Sequence, residues 1–233
     1  MNDYGPMRQV FLIMAAWLSM SIMAQPDWAG LRRYESANAQ LRERVAARGV
    51  KVVFMGNSIT EHWMELHPEF FTANGFVGRG ISGQTSSQML VRFRQDVVDL
   101  HPKVVVINAG TNDIAENTGA YSQQATLGHI ISMVELAQAS KIKVIMTSVL
   151  PTSQFPWNHS VTDVTGKVER LNAELSAYAA KHKIPFVDYY SAMVSTGKAL
   201  NSAYSADGVH PTVAGYAVME PLVLKAISKF VKK

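Results

Sequence analysis

Short apolar, β-branched runs alternate with amphipathic helical patterns along this chain, and few folds accept that alternation. Residues 51–55 (KVVFM), 103–108 (KVVVIN) and 143–148 (KVIMTS) read as strands, 184–188 (IPFVD) as a shorter one, and 75–81 (GFVGRGI) as a weaker, glycine-rich one. Each is a compact apolar run, as expected for a strand covered on both faces of a parallel sheet. Between them, residues 28–48, 85–100, 121–140, 164–182 and 212–231 carry apolar side chains at helical spacing. Leu31, Tyr34, Leu41 and Val45 form the first stripe, and Met219, Leu222, Val223 and Ile227 the last. Parallel strands need crossovers, and these are right-handed. The expected fold is therefore α/β: a three-layer α/β/α, flavodoxin-like doubly wound sheet of about five parallel strands. Such sheets bind ligands beyond the carboxyl ends of their strands, where strand order reverses. Functional residues should sit just after strands. The longest irregular stretch, 151–165, also follows one.

With 48% hydrophobic and 17% charged residues in 233, the chain can bury a full core, which excludes global disorder. The net charge is +4. No arginine or lysine stripe accompanies it, and the tail cluster Lys229, Lys232, Lys233 reads as a solvated helix end, so no nucleic-acid partner is expected. There is no cysteine, which excludes disulfides, thiolate metal sites, cysteine catalysis and a lipoprotein attachment point. Residues 7–24 (MRQVFLIMAAWLSMSIMA) have Arg8, an apolar run and Ala24 before Gln25, the layout of a secretory signal peptide. The run falls short of the ~20 residues of a spanning helix, so no stable membrane anchor is expected after cleavage. The expected organisation is a leader, 1–24, and a single domain, 25–233, secreted or periplasmic.

Four segments carry chemistry. Ser58, in Gly56-Asn57-Ser58-Ile59-Thr60, sits at a strand-to-helix turn, where a helix N-terminus suits a developing oxyanion; serine is equally a common helix cap. Gly83, in Ser82-Gly83-Gln84-Thr85, lets backbone approach a ligand closely, or simply makes a turn. Asn112, in Gly110-Thr111-Asn112-Asp113, offers uncharged N–H donors, or caps a turn. Asn108 before it suggests a strand end facing something other than core. In Asp207-Gly208-Val209-His210-Pro211, Asp207 can fold back to hold the Nδ1–H of His210 and leave Nε2 as a base. The alternative is a surface turn.

In this chain order the four segments resemble the four blocks of the SGNH/GDSL hydrolase family, over residues 51–221. The first block departs from the family pattern, with Asn57 where the family usually has aspartate. GNSIT, RGISGQT and DGVHPTVAGY are similar to secreted acylhydrolase members, whose relatives include carbohydrate acetylesterases and proteins likened to platelet-activating-factor acetylhydrolase. The resemblance implies the SGNH hydrolase fold and a serine esterase with Ser58, Asp207 and His210 as catalytic residues. It implies an oxyanion hole from the N–H groups of Ser58 and Gly83 and the amide of Asn112, and it requires no metal or organic cofactor. The implied substrate is a small-molecule or carbohydrate ester with a short acyl group such as acetyl. Longer-chain lysophospholipase or thioesterase activity, and a non-catalytic glycan-binding domain, are the alternatives. Asn57, Trp157 and His159 are candidates for substrate contact. His62, His67, His101, His129 and His182 read as surface or capping residues.

Overall fold

The computed structural model describes residues 27–45 and 50–231. Its elements are α1 (Glu35–Val45), β1 (Val52–Gly56), α2 (Ser58–Leu66), α3 (Pro68–Asn74), β2 (Phe76–Gly80), α4 (Ser86–Asp96), β3 (Val104–Ile107), α5 (Thr111–Ile114), α6 (Gln123–Ala139), β4 (Lys143–Thr147), α7 (Val164–Lys181), β5 (Phe186–Val187), α8 (Tyr189–Met193) and α9 (Val213–Ile227). The leader assigned to residues 1–24 lies outside the described residues. Among those described, no helix is long and apolar enough to cross a membrane.

The five strands form one sheet in the order β2-β1-β3-β4-β5, every neighbouring pair parallel. Strand order reverses between β1 and β3, so the loops after these two strands diverge and leave a crevice. Alternate residues of β1 serve opposite faces. Val53 and Met55 join a core with Met89 and Phe93 of α4, Met133 of α6 and Leu171 of α7. Val52 and Phe54 join another with Trp63 of α2, Phe70 of α3, and Tyr216 and Met219 of α9. Both faces are covered, which is why the strands are continuously apolar.

The glycines that weaken β2 as a sequence pattern have a packing purpose. A Cβ on Gly80 would lie 2.3 Å from the Glu61 nitrogen and 2.6 Å from the Asn57 carbonyl oxygen. Without a side chain there, the first turn of α2 settles directly over the end of β2.

The helix expected over 28–48 begins only at Glu35. Ahead of it the Asp27 carboxylate accepts the N–H groups of Leu31 and Arg32, both at 2.8 Å, and Gly30 adopts φ +66°. These lock a turn, and Leu31, expected on an inward stripe, is exposed. The turn is strapped to the domain instead. Side-chain amides of Gln88, Gln84 and Gln95 donate to the carbonyls of Trp28, Ala29 and Leu31, and the Tyr34 hydroxyl donates to the Gly80 carbonyl. The pattern over 85–100 is likewise α4 followed by a separate 3-10 turn, Val98–Leu100, and the last helix stops at Ile227.

Candidate active site

Strand β1 ends at Gly56, and the next two residues set the geometry of everything that follows. Asn57 is fully buried, and its Oδ1 accepts the Ile59 N–H at 3.0 Å, capping α2. It is thereby a helix cap under the site and not the substrate contact expected of it. Ser58 is the first residue of α2, with its N–H at the positive end of the helix.

The segment before α9 closes on Ser58 from the other end of the chain. Asp207 Oδ1 accepts the backbone N–H of Val209 at 2.9 Å and of His210 at 2.8 Å, while Oδ2 stands 2.6 Å from His210 Nδ1. Gly208 takes φ +78°, which lets so short a turn close. His210 Nε2 lies 2.9 Å from Ser58 Oγ. Burial pushes the Asp207 carboxyl up, but the hydrogen bonds from the His210 ring and from the His210 and Val209 N–H groups outweigh it and bring it down to about 2. An ionised carboxylate only accepts, so Nδ1 carries the proton and Nε2 is left to accept from Ser58 Oγ–H.

Two more loops reach the cavity at Ser58. Gly83, at φ +77°, and Asn112, 2% exposed, line the same cavity as Ser58. One Nδ2–H of Asn112 is held by the Gln84 carbonyl at 2.9 Å, leaving the second free. Among the described residues, the backbone N–H groups of Ser58 and Gly83 donate to no other protein group. Each of the three loops thus leaves one N–H at this cavity without a protein acceptor among the described residues.

The Gly83 turn is clamped to α2. Glu61 Oε2 accepts the Ser82 N–H at 2.7 Å and the Ser82 hydroxyl at 2.6 Å, and its Oε1 pairs with Arg33 of the strap at 2.9 Å. From below, the fully buried Arg92 donates to Gln84 Oε1 at 2.6 Å, to the Gly56 carbonyl at 2.9 Å and to Asp96 at 2.9 Å. One guanidinium thus ties the Ser58 loop to the Gly83 loop.

The cavity over Ser58 has a volume of about 360 Å³. Trp157 forms part of its wall, with its ring centroid 6.0 Å from that of His210. His159, two residues on, is exposed and lies outside that lining. Asn108 is also no ligand group: its Nδ2 donates to Thr147 Oγ1 at 2.7 Å and the Ser148 carbonyl at 3.2 Å, joining the ends of β3 and β4.

Sequence reasoning missed His62, whose ring is 4.9 Å from that of His210 and lines the cavity. Its position four residues after Ser58, on the same helix face, was the available signal. Glu61 and Asn117 were also missed, and nothing local marks them.

A family model described as the GDSL-like Lipase/Acylhydrolase family matches residues 54–218. The structure of a GDSL-like lipase from Bacteroides thetaiotaomicron superposes with a TM-score of 0.85 at 56% identity, covering 88% of this chain and 100% of that one. A candidate acylhydrolase from Bacteroides fragilis gives 0.84 at 58% identity, covering 88% and 99%. The esterase TesA of Pseudomonas aeruginosa is 26% identical over 184 residues, 75% of this chain and 85% of its own. Axe2, an acetylxylan esterase from Geobacillus stearothermophilus, shares the fold at 20% identity, with a TM-score of 0.60 over 77% of this chain and 94% of its own.

Proposed function

The chain belongs to the GDSL-like lipase/acylhydrolase family, and from its ester-hydrolysing chemistry we propose a serine carboxylic-ester hydrolase in which Ser58, His210 and Asp207 act as a triad on short acyl esters, acetyl esters of carbohydrates foremost. The observation that carries this is the continuous chain of contacts Ser58 Oγ to His210 Nε2 at 2.9 Å and His210 Nδ1 to Asp207 Oδ2 at 2.6 Å.

In this mechanism Ser58 Oγ attacks the ester carbonyl and its proton passes to His210 Nε2. The carbonyl oxygen becomes anionic and takes the N–H groups of Ser58, Gly83 and Asn112, each worth ~3 kcal/mol of barrier. His210 returns the proton to the alcohol oxygen as the C–O bond breaks, leaving Ser58 acylated. Water then gives its proton to His210, attacks the acyl carbon and releases the acid, and the proton returns to Ser58 Oγ. Asp207 keeps the imidazole in the required tautomer and offsets its transient charge.

A short acyl group is supported by the cavity wall. Side chains of Ser58, His62, Asn112, Asn117, Trp157 and His210 line it, and no aliphatic side chain joins them. The apolar surface of that wall is small beside that of a long acyl chain, so most of many methylenes would stay in water. The carbohydrate moiety is supported by the sequence similarity to secreted acylhydrolases, and the signal-like residues 7–24 support action in the periplasm or outside the cell.

Hydrolysis of p-nitrophenyl acetate by the wild type and by Ser58→Ala tests the reading. Loss of about 10⁴-fold or more in kcat is expected. Equal, background-level rates would instead favour a non-catalytic glycan-binding domain. A p-nitrophenyl ester series should fall with chain length, and a rise toward long acyl chains would favour the lysophospholipase type.

A further inference from the structure

A second cavity, of about 480 Å³, opens beside the one over Ser58 and shares Ser82, Gly83, Asn117 and Trp157 with it. The two adjoin along the Ser82–Gly83 turn and the Asn117–Trp157 pair. Beyond these shared residues, amides and hydroxyls dominate: Gln88, Thr118 and Asn158 line the outer cavity together with Gln84. Glu116 is the single charged side chain there, and it faces Lys167 at 3.6 Å. With no cation in the lining, the cavity is poorly suited to a phosphate headgroup. With Ala115 as its only aliphatic side chain, it is poorly suited to an acyl tail.

Trp157 is 45% exposed, unusual for a large aromatic side chain, yet it is not loose. Its Nε1–H donates to Asn117 Oδ1 at 2.9 Å, and Asn117 Nδ2–H donates to the Gly83 carbonyl at 3.0 Å. Asn158 is held in turn, its Nδ2 donating to the Ala115 carbonyl at 2.9 Å. The lining is therefore pre-organised, which lowers the ordering cost of binding. A flat indole beside fixed amides matches one ligand chemistry well. A pyranose ring presents C–H groups on its face and hydroxyls round its edge; the indole takes the face and the amides take the edge.

We propose that this outer cavity is a sugar subsite, with Trp157 as its stacking platform, and that Asn117 links the platform to the Gly83 turn. The inference rests on the esterase reading for its role in turnover, placing the glycan of an acylated sugar beyond the oxyanion side of Ser58. It stands on its own as a binding site.

Two arms test it. In the first, the ratio of kcat/KM on acetylated xylo-oligosaccharides to kcat/KM on p-nitrophenyl acetate is compared between wild type and Trp157→Ala. The ratio should fall about tenfold in the variant, the scale of one lost aromatic contact, and should largely recover in Trp157→Phe, which keeps a ring. In the second, calorimetry measures binding of the same oligosaccharides to Ser58→Ala with and without Trp157→Ala, so no turnover is needed. Weaker binding in the double variant is expected. An unchanged ratio in the first arm, or equal affinity in the second, overturns the subsite. Failure of the esterase reading looks different: wild type and Ser58→Ala would be equally inert on p-nitrophenyl acetate while the binding arm still decided the subsite.

Discussion

Removing the Glu61 carboxylate is expected to slow catalysis without unfolding the protein, and the two effects separate on structural grounds. Glu61 is nearly buried, but Ser82, the residue it holds, is exposed. In Glu61→Ala water can replace the carboxylate at both Ser82 donors, so the stability loss should stay near 1 kcal/mol or below. The rate has no such substitute. Released from bonds of 2.7 and 2.6 Å, the Ser82–Gly83 turn loses its fixed distance from α2, and with it the aim of the Gly83 N–H at the oxyanion. Complete loss of one such donor costs 10²–10³ in kcat, or about 3–4 kcal/mol. The turn keeps other ties, from Ile81 N–H to the Gly56 carbonyl at 3.3 Å and from Asn117 to the Gly83 carbonyl at 3.0 Å. The expected loss is therefore partial, about 10- to 100-fold in kcat, with KM within about twofold, because the donor acts chiefly in the transition state. Glu61→Gln keeps an oxygen for Ser82 but turns its amide N–H toward Arg33, losing that ion pair and its acceptor, so it should recover most of the rate, which depends on Ser82, and not the bond to the strap. The assay is steady-state hydrolysis of p-nitrophenyl acetate beside its thionoester, whose sulfur accepts hydrogen bonds weakly. The ester rate should drop more than the thionoester rate. A Glu61→Ala enzyme with kcat within twofold of wild type, or one in which both substrates slow equally, refutes the clamp as a device for positioning Gly83.

Arg92→Met should cost about 3–5 kcal/mol in urea unfolding, because it strips a buried Asp96 of its ion pair and frees Gln84 and Gly56 together; a change under 1 kcal/mol would mean water or repacking compensates. Asp207 has its carboxyl lowered from the ordinary carboxylate range to about 2. A depressed acid stabilises above its unfolded pKa and stops doing so as pH falls through its folded one. The gap in Tm between wild type and Asp207→Asn should thus be flat above about pH 4 and close toward about pH 2; a gap that instead widens toward pH 2 would reverse the sign.

The strand runs VVFM, VVVI and VIMT read as sheet interior, since they are short, rich in β-branched residues and apolar at nearly every position, as strands buried on both faces are. Alternation with helical stripes then implied parallel order, and the turn chemistry of Asp207-Gly208-Val209-His210 is local enough to be read from four residues. These features depend on near neighbours, so they were legible in the chain. Other features depend on partners far along it. Asn108 looked like a ligand group and is a strand tie, because its acceptors on Thr147 and Ser148 come beside it only when β3 and β4 are packed side by side. Asn57 caps α2 through a local bond to Ile59, and it is the packing that buries it away from the cavity. Trp28 to Tyr34 carries a helical stripe, yet the glutamine amides of α4 and of the Gly83 turn outcompete the helix for its carbonyls. Glu61 meets Ser82, and Trp157 meets Asn117, across gaps that no periodicity spans. Local patterning determined the layers and the chemical groups at the crevice. Tertiary packing alone decided which of those groups face the cavity, because that depends on which distant donors and acceptors are already paired.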